Sequence, residues 1–368
     1  MSEAQVVSGE YSYLPIERVH FGPGSISRLA EELDRIKSRR PFVITGQTIA
    51  DKTGLVDTVE KASGRKLVGV FSGIKQHAPI SGIKRAISEA QRARADALIS
   101  LGGGSPIDST KVVVKELSDN FAKPTLAHLA IPTTLSAAEF SHSAGMTDDT
   151  TKRKTGVRDS RLVPRLIFLD PKITIDTPPW LWACTGIRSL DHAVESVYSL
   201  KHQPYVDTLA LESIKLLFQN LKRSTDNPTE IAPRLACQTA SWMSFAGVQS
   251  VGTGLSHAIG RVIGATWNIP HGITSCLTLP EVMTHQARKY PDRLALVAQV
   301  QGQDSKGLVK EKQAQYAVER VRELVKGLGL SKRLSDYGIG KEDLPSIARD
   351  ASGPEEYTVA LEVLDAIL

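Results

Sequence analysis

Cysteine is scarce in this chain, with three in 368 residues. Cys184, Cys237 and Cys276 are scattered, odd in number and without C-x-x-C spacing, which argues against a thiolate metal site and for a reducing compartment. Long apolar runs are missing too. No window of eighteen apolar residues occurs, so no membrane partner or span is expected. The first thirteen residues lack an apolar core between a basic start and a small-residue cleavage site; no secretion is expected, and the cytoplasm is the expected location. Blocks of one charge are absent as well. The net charge of +5 is spread along the chain, and its densest basic runs, residues 37–40 and 152–154, are short. No nucleic-acid partner is therefore expected, and the basic balance suits a small anionic ligand.

What is present is ordinary globular material. Apolar residues make up 41% and charged ones 23%, which excludes disordered and fibrous classes. The length exceeds what one compact core organises, so two domains are expected.

The most informative stretch is Ala97-Leu-Ile-Ser-Leu-Gly-Gly-Gly-Ser-Pro-Ile-Asp-Ser-Thr-Lys111. Its apolar start reads as a buried strand of a parallel sheet. Gly102, Gly103 and Gly104 then let the backbone turn tightly, and Ser105 followed by Pro106 predicts a hydroxyl-capped helix start. A strand passing through glycines into a helix N-terminus cradles phosphate, because free amides and the positive helix end converge. An ordinary βα loop has the same local features, and the stretch matches neither G-x-G-x-x-G nor G-x-x-x-x-G-K-[ST].

Around it the chain alternates. Apolar strands are predicted at 41–45, 66–71, 97–101 and 125–131, with helices from near 51, over 80–95 and over 107–117. Strand-helix alternation implies a parallel sheet with its ligand at the carboxyl strand ends, which would gather Gly46, His77, the glycines, Thr133 and Thr134 on one edge. Residues 140–160 are polar and, with a strand over 165–170, read as a hairpin on the sheet edge. Beyond residue 178 long helical patterns take over, at 186–198, 205–221, 232–250 and 310–328. The fold class is thus an α/β dinucleotide-binding domain over 1–175 and an all-α domain over 176–368.

Three histidines mark the helical half: His192, His257 and His271. Imidazole binds divalent ions and exchanges protons near neutrality, but a single histidine is more often a hydrogen-bonded core or surface residue, and spacing alone leaves all three undecided.

The strings Gly-Gly-Gly-Ser-Pro-Ile-Asp-Ser-Thr-Lys, Ile-Pro-Thr-Thr, the helix over 186–195 and Asn268-Ile-Pro-His-Gly272 together resemble the iron-containing alcohol dehydrogenase superfamily, in order from about residue 16 to 286. Gly73-Ile-Lys-Gln-His-Ala-Pro79 and the segment 153–164 resemble its maleylacetate reductase branch. The resemblance implies a dehydroquinate synthase-like fold, with an N-terminal nicotinamide domain, a helical domain and the reaction in the cleft between them. It also implies an oxidoreductase active in aromatic compound catabolism and working as a homodimer. Gly102, Gly103, Gly104 and Ser105 fall on pyrophosphate-binding positions, with Asp108 in the same motif. Thr133 and Thr134 match paired threonines beside the cofactor, and Lys154 matches a lysine reaching its ribose. No acid follows Thr45 in the place that holds a ribose 2′-hydroxyl, so NAD and NADP both stay open.

Metal-dependent relatives carry an aspartate four residues before the first histidine and two further histidines fourteen apart. His192, His257 and His271 keep this spacing, but position 188 is Arg188, which has no lone pair and repels cations. Arg261 stands where relatives often have a proton-transferring histidine. Two guanidinium groups suit an anionic, carboxylated substrate, although an Arg188–Asp191 salt bridge is an alternative use. The expected function is an NAD(P)H-dependent, metal-independent reductase of a small carboxylated ketone or enone, drawing on His192, His257, His271, Arg188, Arg261 and His77. Two other readings stay open. One is a zinc or iron alcohol dehydrogenase with the three histidines as ligands; the other is a diverged non-redox enzyme or binding protein.

Overall fold

Alternating apolar residues on both faces of short strands require a sheet covered on two sides, and that is what forms. The computed structural model describes residues 8–118, 125–150, 154–302 and 307–368. Its strands are β1 (Arg18–Phe21), β2 (Pro41–Thr45), β3 (Gly69–Phe71), β4 (Ala97–Gly102), β5 (Ala127–Pro132), β6 (Ser143–Thr147), β7 (Lys154–Arg158) and β8 (Leu166–Leu169). Six of them pair in the order β1-β8-β5-β4-β2-β3, all parallel. Helices α1 (Leu29–Arg35), α2 (Gln47–Lys52), α3 (Leu55–Ala62), α4 (Ile80–Arg92) and α5 (Gly104–Leu117) are interleaved with them.

Side-chain alternation sorts the two faces. Val43, Ile99, Leu101, Leu129, Leu166 and Phe168 pack with Leu29, Leu33, Leu55 and Val59 of α1 and α3. Phe42, Ile44 and Leu98 turn the other way, onto Ile83 and Ala86 of α4 and Val112 and Val113 of α5. Such burial on both faces is why these strands read as near-continuous apolar runs.

Two local expectations need correction. The segment 140–170 is not an edge hairpin: β6 and β7 form a separate antiparallel pair, and β8 enters the main sheet between β1 and β5. All four residues of β8 are buried, which only an interior slot provides, whereas most of the described β6–β7 side chains keep contact with solvent. Nor does Ser105 cap its helix. Helix α5 begins one residue earlier, at Gly104, and its N-cap is Gly103 with no side-chain hydrogen bond.

The helical half contains α6 (Pro179–Tyr198), α7 (Pro204–Asp226), α8 (Ile231–Phe245), α9 (Val248–Val251), α10 (Leu255–Thr266), α11 (His271–Lys289), α12 (Pro291–Val300), α13 (Lys310–Gly327), α14 (Leu344–Ala351) and α15 (Tyr357–Ala366). The helix expected over 232–250 is split into α8 and α9, with Gly247 capping the second. Two compact units result: Leu14–Trp182 with Arg223–Thr239, and Ala183–Lys222 with Ala240–Leu368 and the N-terminal stretch to Tyr13. Among the described residues no helix is long and apolar enough to cross a membrane.

Helix α11 approaches α6 closely at one glycine. A Cβ on Gly272 would lie 2.6 Å from the backbone carbon of Cys184 and 2.7 Å from its oxygen. Backbone cannot rotate out of the way, so Gly272→Ala should cost about 2–3 kcal/mol. Urea unfolding checks this: the midpoint should fall with the slope unchanged, and an unaltered midpoint would mean that α11 pivots freely away from α6.

Candidate active site

The first cluster lies at the carboxyl ends of the parallel strands. Gly102 ends β4 at φ +140°, open to glycine, and a Cβ there would stand 2.9 Å from Pro106 Cγ. A Cβ on Gly103 would lie 3.0 Å from Thr134 Cγ2 and Oγ1. Thr133, buried after β5, donates its backbone N–H to Gly102 O at 3.0 Å, tying the two strand ends together. The hydroxyls of Thr134 and Ser136 are buried and have no hydrogen-bond partner. Ser136 Oγ would be 3.5 Å from a Cβ on Gly104, so both hydroxyls border the glycine loop. An uncapped helix N-terminus, glycines that leave room for a ligand and two orphan hydroxyls fit the phosphates of a dinucleotide.

The other residues predicted here divide. Gly46 caps α2 at the end of β2 and bridges to Gly73, on the same edge. Ser105 sits inside the first turn of α5. Asp108 is engaged within the protein: Oδ1 accepts from Lys111 Nζ at 3.1 Å and Oδ2 from Gly145 N at 3.2 Å. Lys111 is fully buried and also donates to Ala138 O and Ser143 O at 2.7 and 2.8 Å, binding α5 to the segment that holds Ser136. His77, at φ +61° in the loop before α4, takes a hydrogen bond from Thr147 Oγ1 on its carbonyl. The side chain of Lys154 lies outside the described residues.

The second cluster is built by α6, α10 and α11. Arg188, Asp191 and Glu195 follow at i, i+3 and i+7, one face of α6. His257 enters from α10, buried, with Nδ1 2.7 Å from Glu195 Oε2 and 3.3 Å from Asp191 Oδ2. Glu195 also accepts from Gly254 N and Ser256 N at 2.5 and 2.9 Å, holding the start of α10. Asp191 Oδ2 accepts from Ser275 Oγ at 2.6 Å and Ser256 Oγ at 2.9 Å. Arg188 Nη1 donates to Ser275 Oγ at 3.0 Å and stands 3.8 Å from Asp191 Oδ2, so the salt bridge the spacing allowed exists in a loose form.

These contacts set the charges. Burial and Arg188 push the His257 imidazole down, but Asp191 and Glu195 outweigh them and its pKa ends above the ordinary value. His192 is neutral for the opposite reason: burial, then His257 and Arg188, hold it well below. Its ring lies 4.6 Å from that of His257 and edge-on to Phe245. His257 Nε2, His192 Nδ1 and Asp191 Oδ1 are buried without a hydrogen-bond partner. Arg261, on α10, is exposed and without an ion-pair partner among the described residues, while its charge reaches Arg188. His271 opens α11, half-buried.

Family models now decide the lineage. Residues 16–171 match the iron-containing alcohol dehydrogenase model, and residues 182–360 match the C-terminal model of the Fe-containing alcohol dehydrogenase family. The chain belongs to the iron-containing alcohol dehydrogenase family. It is an oxidoreductase. Its relatives include the lactaldehyde reductase of Escherichia coli strain K12, 29% identical with 91% of each chain covered. Maleylacetate reductase 2 of Cupriavidus pinatubonensis is 32% identical, covering 79% of this chain and 77% of that protein. The solved maleylacetate reductase of Rhizobium sp. strain MTP-10005 superposes with a TM-score of 0.84 at 25% identity, covering 98% of both chains.

The family's name raises the question of iron, and the donors here answer it. Ligand atoms of Asp191, Glu195 and His257 lie within 4.8 Å of one another; the set His192, His257 and His271 does not converge so among the described residues. In the triad, however, Asp191 Oδ2 already accepts two hydroxyls. The Arg188 charge stands 3.8 Å away. A divalent ion would have to displace two hydroxyl hydrogen bonds and bind beside a guanidinium, so these residues do not fit one.

Asp191, Glu195, Ser256, Ser275, Lys111 and Ser136 are the members that motif reading did not place in a site. Helical spacing from Arg188 could have found Asp191 and Glu195; Ser256 and Ser275 come from other helices and left no local signal.

Proposed function

We propose that the protein is an NAD(P)H-dependent reductase of a small carboxylated ketone or enone, working without a catalytic metal. One observation carries the reading: a buried imidazole facing two carboxylates, its Nε2 without a partner, lies in the same cluster as a fixed guanidinium, where a cation does not fit. The local charges leave a surplus. Asp191 and Glu195 supply two negative charges, while Arg188, Arg261 and protonated His257 supply three positive ones, so one anionic group completes the balance. Arginine suits a carboxylate because its planar fork can hold two oxygens. Relatives named for maleylacetate fit the same substrate class, whereas the one named for lactaldehyde takes its name from an uncharged aldehyde.

A bound nicotinamide would supply hydride to the substrate carbon. The protein's residues do the rest. Thr134, Ser136 and the amides at the start of α5 bind the phosphates. Arg188 and Arg261 orient the substrate carboxylate and stabilise charge growing on the substrate oxygen. His257 gives that oxygen its proton from Nε2, and Asp191 and Glu195 keep the imidazole charged until then.

Oxidation of NADH and NADPH by maleylacetate and short oxo acids, before and after chelator treatment, tests this. Turnover should survive the chelator, with iron and zinc far below stoichiometric on elemental analysis. Near-stoichiometric metal lost together with activity would install the metal-dependent reading, and failure to bind either nucleotide would end the redox one.

A further inference from the structure

Ser275 is fully buried, and its single hydroxyl is used in both directions: Oγ donates to Asp191 Oδ2 at 2.6 Å and accepts from Arg188 Nη1 at 3.0 Å. Asp191 and Arg188 themselves are 3.8 Å apart, beyond hydrogen-bond reach. Asp191 Oδ2 is already occupied by the hydroxyls of Ser256 and Ser275, with the His257 ring nitrogen at 3.3 Å, and no guanidinium nitrogen reaches its Oδ1, which has no partner. The serine relays the pairing instead. Of the five guanidinium donors this contact uses one, and Arg188 makes no other hydrogen bond among the described residues, although its side chain is only 14% exposed.

An arginine anchored at one nitrogen with its other donors open is arranged to receive something else. We infer that Ser275, oriented by Asp191, is the positioning residue that aims Arg188 at the substrate carboxylate, and so determines the preference for anionic substrates. This rests on the reductase reading above, in which Arg188 holds that carboxylate. The physical reason is that a long, flexible side chain loses affinity when its bound orientation is not prepared beforehand. A direct Asp191–Arg188 ion pair would instead neutralise the guanidinium and turn its donors away.

The experiment compares wild type with Arg188→Met, Ser275→Ala, Ser275→Thr and the double variant Arg188→Met/Ser275→Ala, reading KM and kcat for maleylacetate and the Kd for NADH. Arg188→Met should raise KM about 100-fold, the size of a charge-assisted hydrogen-bonded pair. Ser275→Ala should raise KM about 10-fold with kcat and the NADH Kd little changed, as loss of one hydrogen bond implies. Ser275→Thr, which keeps the hydroxyl, should regain most of that affinity. The double variant should be no worse than Arg188→Met, because the serine then has nothing to aim. Crystal structures of Ser275→Ala and wild type should show the guanidinium displaced in the variant.

A KM raised by Arg188→Met but not by Ser275→Ala, or equal and additive effects of the two, would overturn the role of Ser275 while leaving the reductase reading standing. Maleylacetate that is not turned over, or a KM indifferent to Arg188→Met, removes the reading itself and the inference with it. If Ser275→Ala does not fold, Ser275→Cys carries the same comparison, since a thiol of similar shape is a poor hydrogen-bond partner.

Discussion

His257→Gln should lower kcat by about 10²- to 10³-fold while leaving nucleotide affinity intact, the range that loss of a positioned proton donor produces. Glutamine keeps an amide near Glu195 and much of the packing volume, but has no proton to release near neutrality. Steady-state kinetics beside a nucleotide titration separate the two quantities. An unchanged kcat would remove His257 as the donor and pass the role to His192 or His271. The pH profile carries a sign as well. His257 is active while protonated and its pKa lies above the ordinary imidazole value of about 6.5, so activity should persist past that pH and fall only as the raised pKa is crossed. Glu195→Gln removes one of the carboxylates holding the proton, and the fall should move to lower pH. For folding, the same histidine contributes stability below the unfolded pKa that is lost as pH rises through the folded one. His192 works the other way. Its folded pKa is depressed, so the unfolded chain takes up a proton first and stability declines as pH falls below about 6.5.

Gly102→Val should abolish measurable nucleotide binding, by about 100-fold or more. Two costs combine there, because a branched side chain resists φ +140° and its Cβ would meet Pro106 Cγ at 2.9 Å and Ile49 Cδ1 at 3.1 Å. Each is worth about 1–3 kcal/mol, and relief of either would deform the glycine loop proposed to bind the phosphates. Fluorescence titration with NADH and NADPH reads the affinity, and circular dichroism establishes that the sheet has formed. A folded variant that binds both nucleotides as wild type does would remove the glycine loop as their site.

The two regions were legible in the sequence to different degrees. The glycine loop could be read because its parts are contiguous: an apolar strand, residues that permit unusual backbone and a helix start, all within fifteen positions. One detail escaped even there. Ser105 looked like the cap because its hydroxyl suits one, but the chain turns helical a residue earlier and leaves the N-terminus open, which serves an anion better than a capped end. The segment 140–170 differs from the expected edge hairpin for a comparable reason. Its polar strands resembled an edge, and nothing local revealed that β8 would be inserted between β1 and β5.

The sequence by itself determined the alternation that makes a parallel sheet, the glycine turn at its carboxyl edge, the family, and an arginine at position 188. Those features depend on residue type and short spacing. Only the tertiary structure decided what Arg188 and the histidines touch. Ser275 meets Arg188 across 87 positions, and Ser256 meets Glu195 across 61, so their partnership exists only once α6, α10 and α11 pack together. Charge state followed from the same packing. His192 and His257 are chemically identical side chains buried side by side, yet the one that faces two carboxylates has its pKa raised while the other's is held well below the ordinary value, because in a desolvated site the nearest charges decide ionisation.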